Sequence, residues 1–142
     1  MTVIAWDGKT LAADKRAVQG GGIARRCTKI HKHGDALLAI TGEYDVGMEM
    51  VAWWRSGAAF ESFPERAKEN VSTLIVIQGG AIKSYNTGAY PLVIEADKCA
   101  FGSGRDYAEA AMYLGCDAEK AVKVASVFQS DCGDGVDCLT ID

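Results

Sequence analysis

The chain has 142 residues, 49% of them hydrophobic and 24% charged, and carries a formal net charge of −4. A length of this order fits one domain with a sizeable core. The Lys and Arg residues are scattered and outnumbered, which gives no electrostatic footprint for nucleic acid. Apolar runs such as Leu74 to Ile77 fall far short of a membrane span, and no signal-like segment precedes the first strand, so a cytoplasmic protein is expected. Five cysteines (Cys27, Cys99, Cys116, Cys132 and Cys138) form no CxxC pair and read as reduced, mostly buried thiols.

In chain order, Asp7-Gly8 lies between two short apolar runs, Val3 to Trp6 and Thr10 to Ala13, and predicts a hairpin. A glycine-rich loop follows at Gln19-Gly20-Gly21-Gly22. Strands are expected over Ala24 to Lys32 and Ala36 to Thr41, turned by His33-Gly34-Asp35. Helical spacing of Val46, Met50 and Trp53 predicts a helix from Tyr44 closed by Gly57. Ala58 to Asn70 holds Pro64 and supports no more than a helical turn or two. Strands then follow over Ser72 to Gln78, Ala81 to Tyr85, Tyr90 to Glu95 and Lys98 to Phe101. Gly102-Ser103-Gly104 opens a helix over Asp106 to Leu114, and Asp117 caps another over Ala118 to Phe128. Gly133-Asp134-Gly135 turns the chain into a last strand, Val136 to Ile141.

The opening Thr2-Val3-Ile4-Ala5-Trp6-Asp7-Gly8-Lys9-Thr10-Leu11-Ala12-Ala13-Asp14-Lys15-Arg16 resembles that of a proteasome β subunit or its bacterial heat-shock protease relative. Thr28-Lys29-Ile30, Leu37 to Gly42, Phe101-Gly102-Ser103-Gly104 and Gly133 to Asp137 fit the same family in the same order. The resemblance implies an α+β fold: a four-layer αββα sandwich of the N-terminal-nucleophile hydrolase type, with two antiparallel sheets between helix layers. It also implies a threonine peptidase with no cofactor and no metal, acting on unfolded polypeptide in a homo-oligomer, with a ring among the assemblies and a separate ATPase unfoldase as partner.

Carried over by motif, the nucleophile is Thr2, the lysine stabilising charge near its oxygen is Lys29, and the acid orienting that lysine is Asp14. Ser103 corresponds to the serine supporting the amine, and the Gly42 N–H to an oxyanion donor. Chemically, trimming Met1 before the small Thr2 would free an α-amine with a pKa of roughly 7.7–8.0, able to act as a base beside the hydroxyl. Blander roles stand beside these. Asp14 could be a solvated strand end, Lys29 an outward residue, and Gly-Ser-Gly only a turn. His31-Lys32-His33 has no third metal ligand nearby, and Trp53-Trp54 suits core and surface packing.

Two departures weaken catalysis and a third affects assembly, and beside the peptidase stands an alternative, a non-catalytic structural or assembly subunit, for instance of a phage or mobile element. A two-residue Asp7-Gly8 turn would pair Thr2 with Ala13, leaving the first strand about two residues, roughly 7 Å, short. Gln129 and Cys132 stand where the family has an acid and a Ser or Thr. The second helix after Ala36 to Thr41 is reduced to Ala58–Asn70, so a standard stacked ring does not follow. Self-association is still expected from Trp and Met side chains on the Tyr44–Gly57 helix and from an open sheet edge.

Overall fold

The structure, a computed structural model, describes residues 2–18 and 22–141. Gln19, Gly20 and Gly21 of the expected glycine loop lie outside the described residues. Before the long helix come β1 (Ile4–Trp6), β2 (Thr10–Asp14), β3 (Arg16–Val18), β4 (Ala24–Arg26), β5 (Ile30–His33) and β6 (Ala36–Gly42). Then follow α1 (Tyr44–Arg55), β7 (Ser72–Gln78), β8 (Ala81–Tyr85), β9 (Leu92–Ile94), β10 (Cys99–Phe101), α2 (Arg105–Tyr113), α3 (Ala118–Phe128) and β11 (Val136–Thr140). Two single 3-10 turns, Phe60–Ser62 and Arg66–Glu69, occupy the polar stretch after α1. The chain divides into two compact units, with Lys32–Glu95 forming the second.

The first unit is built on a four-stranded antiparallel sheet in the order β10-β1-β2-β11. Its register differs from that of a two-residue hairpin. Trp6 pairs with Leu11 and Ile4 with Ala13, so the turn holds four residues. Asp7 causes this. Its Oδ1 accepts the backbone N–H of Lys9 at 2.9 Å and of Thr10 at 2.7 Å, while its own N–H donates to the Thr10 carbonyl. Such an Asx turn widens the loop that Asp-Gly alone would close in two. The register thereby moves by two positions, an even slip that keeps every side chain on its face. The expected shortfall of the first strand disappears.

Asp7 also reaches across the unit. Its Oδ2 accepts the Ala118 N–H at 2.8 Å, adding a second cap to α3, whose own N-cap Asp117 accepts from Lys120. Burial raises the Asp7 pKa, but bonds from Thr10, Ala118 and Lys9 outweigh it and hold the carboxyl below its ordinary 3.8. The folded state thus stays ionised where the unfolded chain begins to bind a proton. We expect stability to fall with pH below about 4, and Asp7→Asn to flatten that acid slope in denaturant titrations.

Helices α2 and α3 cover one face of this sheet. Their buried stripe is mostly alanine (Ala108, Ala111, Ala118, Ala121 and Ala125), with Met112 and Val122, against Val3, Ala5, Ala12 and Ala100. Small side chains let the helices approach the strands closely. Beside this sheet, β3 and β4 pair as a two-stranded antiparallel ribbon. The strand expected over Ala24 to Lys32 is in fact two, β4 and β5, separated by Cys27-Thr28-Lys29. The break matters because it frees Lys29 from a sheet register.

The second unit is built on the strands β6-β7-β8-β9, whose neighbours are all antiparallel. Helix α1 lays Val46, Met50, Val51 and Trp53 against Leu38, Ile40, Leu74 and Val76. Gly47 faces Ile40, and an added Cβ would lie 3.0 Å from the Ile40 side chain, so helix and strand touch there. Trp53 sits edge-on to Phe63 and Tyr85 and donates its indole N–H to the Ala59 carbonyl. The expectation of exposed Trp and Met on this helix is corrected. Trp53 and Met50 are buried, and Trp54 is half-buried, because the 3-10 segment folds back over them. Large exposed apolar side chains lie elsewhere, including Tyr107, Tyr113, Leu114, Val127 and Phe128 in the α2–α3 region. No helix among the described residues is long and apolar enough to cross a membrane.

Candidate active site

Thr2, Asp14, Lys29 and Ser103 come together in the first unit. Asp14 is fully buried and Lys29 is 4% exposed. Lys29 Nζ donates to Asp14 Oδ1 at 2.8 Å and to Thr2 Oγ1 at 3.3 Å. The carboxylate is satisfied on both oxygens. Oδ1 also accepts the Val3 N–H, while Oδ2 accepts those of Gly133 at 3.0 Å and Arg16 at 3.2 Å. A buried charge with this many donors is stable as a carboxylate partner for a buried lysine.

The widened β1–β2 turn is what makes this geometry. Asp14 N donates to the Val3 carbonyl, placing Val3 opposite Asp14 and Thr2 one residue beyond. Thr2 is then held from the α2 side. Its nitrogen donates to Ser103 Oγ at 3.1 Å, and its carbonyl accepts the Gly104 N–H at 3.1 Å. Gly102 is required by close approach: at φ +93°, an added Cβ would lie 2.2 Å from the Thr2 carbonyl oxygen. We expect Gly102→Ala to cost at least about 2 kcal/mol from left-handed strain and this clash, read as a lowered unfolding midpoint.

The segment before β11 closes the other side. Arg16 grips it with Nε and Nη2 on the two Asp134 carboxylate oxygens and Nη1 on the Ser130 carbonyl. Lys15 N bonds the Gly133 carbonyl. This clamp carries two residues that sequence reasoning did not assign, Asp131 and Cys132. Ser103 Oγ lies 3.1 Å from Asp131 Oδ1 and 3.7 Å from Cys132 Sγ. The only signal for Asp131 was an acid lying between Gln129 and Gly133.

Burial pushes the Cys132 thiol to about 11, although the Ser103 contact pulls the other way, so it stays neutral near pH 7. Burial and the Glu109 carboxylate do the same for Cys99. All five cysteines are free thiols, with Cys138 exposed. Thiolate fraction and access control alkylation, so at pH 8 iodoacetamide should modify Cys99 and Cys132 last by peptide mapping. Gly42 belongs to the second unit, where it ends β6 at φ +89° with a Cβ position 2.2 Å from the Val71 carbonyl oxygen. Its assignment as an oxyanion donor rests on the resemblance.

Solved structures match the chain over its whole length. BPH of Thiobacillus denitrificans, in complex with epoxomicin, is 21% identical with 100% of both chains covered and a TM-score of 0.69. Eukaryotic HslV from Trypanosoma brucei is 19% identical, covering 98% of each chain, with a TM-score of 0.71. The chain has the proteasome-type protease fold. A further structure of the Thiobacillus protein is 20% identical, with 99% of this chain and 98% of that one covered, at a TM-score of 0.67. The α+β class expected from the sequence, helices with antiparallel sheets, is therefore the class found. No protein-family description and no curated protein sequence matches the chain.

Proposed function

We propose that the chain is a threonine peptidase of the proteasome type, a single functional domain cleaving unfolded polypeptide in the cytoplasm. The observation that supports it most is Lys29 Nζ within 3.3 Å of Thr2 Oγ1 while paired to buried Asp14. Once Met1 is removed, the Thr2 amine takes the hydroxyl proton as Oγ1 attacks the peptide carbonyl. An acyl-enzyme forms, the amine gives its proton to the leaving nitrogen, and water releases the acyl group. Lys29 holds positive charge beside Oγ1 throughout, favouring the developing alkoxide. Lys29→Ala should lower kcat about 10²–10³-fold.

Chain prepared to begin at Thr2 should hydrolyse small peptides and bind epoxomicin, the ligand of the Thiobacillus protein. The same chain with Met1 attached should do neither. Activity independent of Met1 would reject the amine as base. A Thr2-starting chain that neither cleaves nor binds would establish the non-catalytic subunit instead. The exposed side chains around α2 and α3 support a homo-oligomer, fed by a separate ATPase unfoldase. Native mass spectrometry should report that oligomer at micromolar concentration.

A further inference from the structure

We propose that Asp131 is a positioning residue for the Thr2 nitrogen, acting through the Ser103 hydroxyl. This rests on the threonine-peptidase reading. Thr2 N donates to Ser103 Oγ at 3.1 Å, and Ser103 Oγ donates to Asp131 Oδ1 at 3.1 Å. The Thr2 carbonyl at 3.3 Å competes for the same hydroxyl proton. An ionised acceptor wins that competition, because charge-assisted bonds are the stronger ones. With its proton committed to Asp131, Ser103 turns a lone pair toward the Thr2 nitrogen.

The other ionisable groups around this nitrogen cannot take the part. Asp14, from β2, and Lys29, before β5, are spent on each other. Cys132, on the same segment as Asp131, is a neutral thiol. Arg16 and Asp134 form their own pair. Burial raises the Asp131 pKa, but the lowering contributions, the Gln129 side chain first and Ser103 among them, together outweigh it and hold the carboxyl below its ordinary 3.8. The Arg16 grip on Ser130 and Asp134 fixes the segment on which Asp131 sits.

A carboxylate one hydroxyl away favours the protonated amine, the form reached as Thr2 Oγ1 attacks. Removing its charge therefore lowers the amine pKa. In chain beginning at Thr2, Asp131→Asn should lower that pKa by up to about one unit, read from the Thr2 Cβ carbon shift against pH. The acid limb of kcat/KM should move down by the same amount, with kcat about tenfold lower. Ser103→Ala should reproduce the pKa change from the other end, and the double variant should add little to it. Unchanged melting of Asp131→Asn separates this from damage to the fold. The carbon shift needs no turnover, so an inactive chain with the expected pKa change would overturn the peptidase reading alone. An amine pKa unmoved in folded Asp131→Asn or Ser103→Ala overturns the role of Asp131.

Discussion

Thr2→Ala, made in chain that begins at residue 2, should lose peptide hydrolysis by at least about 10³-fold while remaining folded, its melting temperature lowered by only a few degrees. The first half follows from chemistry. Without Oγ1 no acyl intermediate forms, and a charged lysine beside an empty position has nothing to activate. The second half follows from how Thr2 is held. Its nitrogen and carbonyl are bonded to Ser103 and Gly104, neither through the side chain. Lys29 loses one bond and keeps Asp14, so the stability cost should be about 0.5–1.5 kcal/mol. Thr2→Ser retains the hydroxyl and should keep measurable turnover. Steady-state assays on the three proteins decide the matter. Hydrolysis surviving in Thr2→Ala would reject the nucleophile.

How much of this was legible beforehand depends on the reach of each cause. Strands such as Ser72–Gln78 and the α3 span follow from local period and caps, and the structure has them at the expected bounds. That Thr2, Asp14, Lys29 and Ser103 belong near one another is legible because motif and chemistry coincide in each, and the structure brings the four together. The hairpin register is not legible in this way. Asp-Gly favours a two-residue turn, but the Asp7 carboxylate instead caps its own turn, and its other oxygen binds Ala118, 111 positions away. A partner that distant leaves no periodic trace. β3 escaped notice for a related reason: three residues, one of them Arg16, are too short for alternation to show. The same applies to Asp131. Its neighbours Ser103 and Cys132 are visible as types, but only the clamp by Arg16 sets it beside Ser103. The cover over Trp53, the turns between Phe60 and Glu69, is hard to foresee because its sequence looks too polar to belong to a core.

Asp14→Ala should be the most damaging single change to the fold at the site, lowering stability by about 3–5 kcal/mol as well as abolishing turnover. The carboxylate is fully buried, so its removal leaves the Lys29 ammonium uncompensated in a region that water does not reach. It also strands the N–H groups of Val3, Arg16 and Gly133, which join β1, the start of β3 and the loop before β11. Asp14→Asn is nearly the same size yet has one acceptor oxygen where two are used, so its amide must meet donors on one side. It should sit between wild type and Asp14→Ala in urea denaturation. Adding Lys29→Met to Asp14→Ala removes the orphaned charge and should recover part of the lost stability. Activity should not return with it, because the hydroxyl of Thr2 then has no cation at 3.3 Å. A double variant that regains stability and stays inactive assigns the pair two separable duties, holding strands together and polarising Thr2. Recovery of turnover along with stability would mean that Asp14 and Lys29 serve the fold alone.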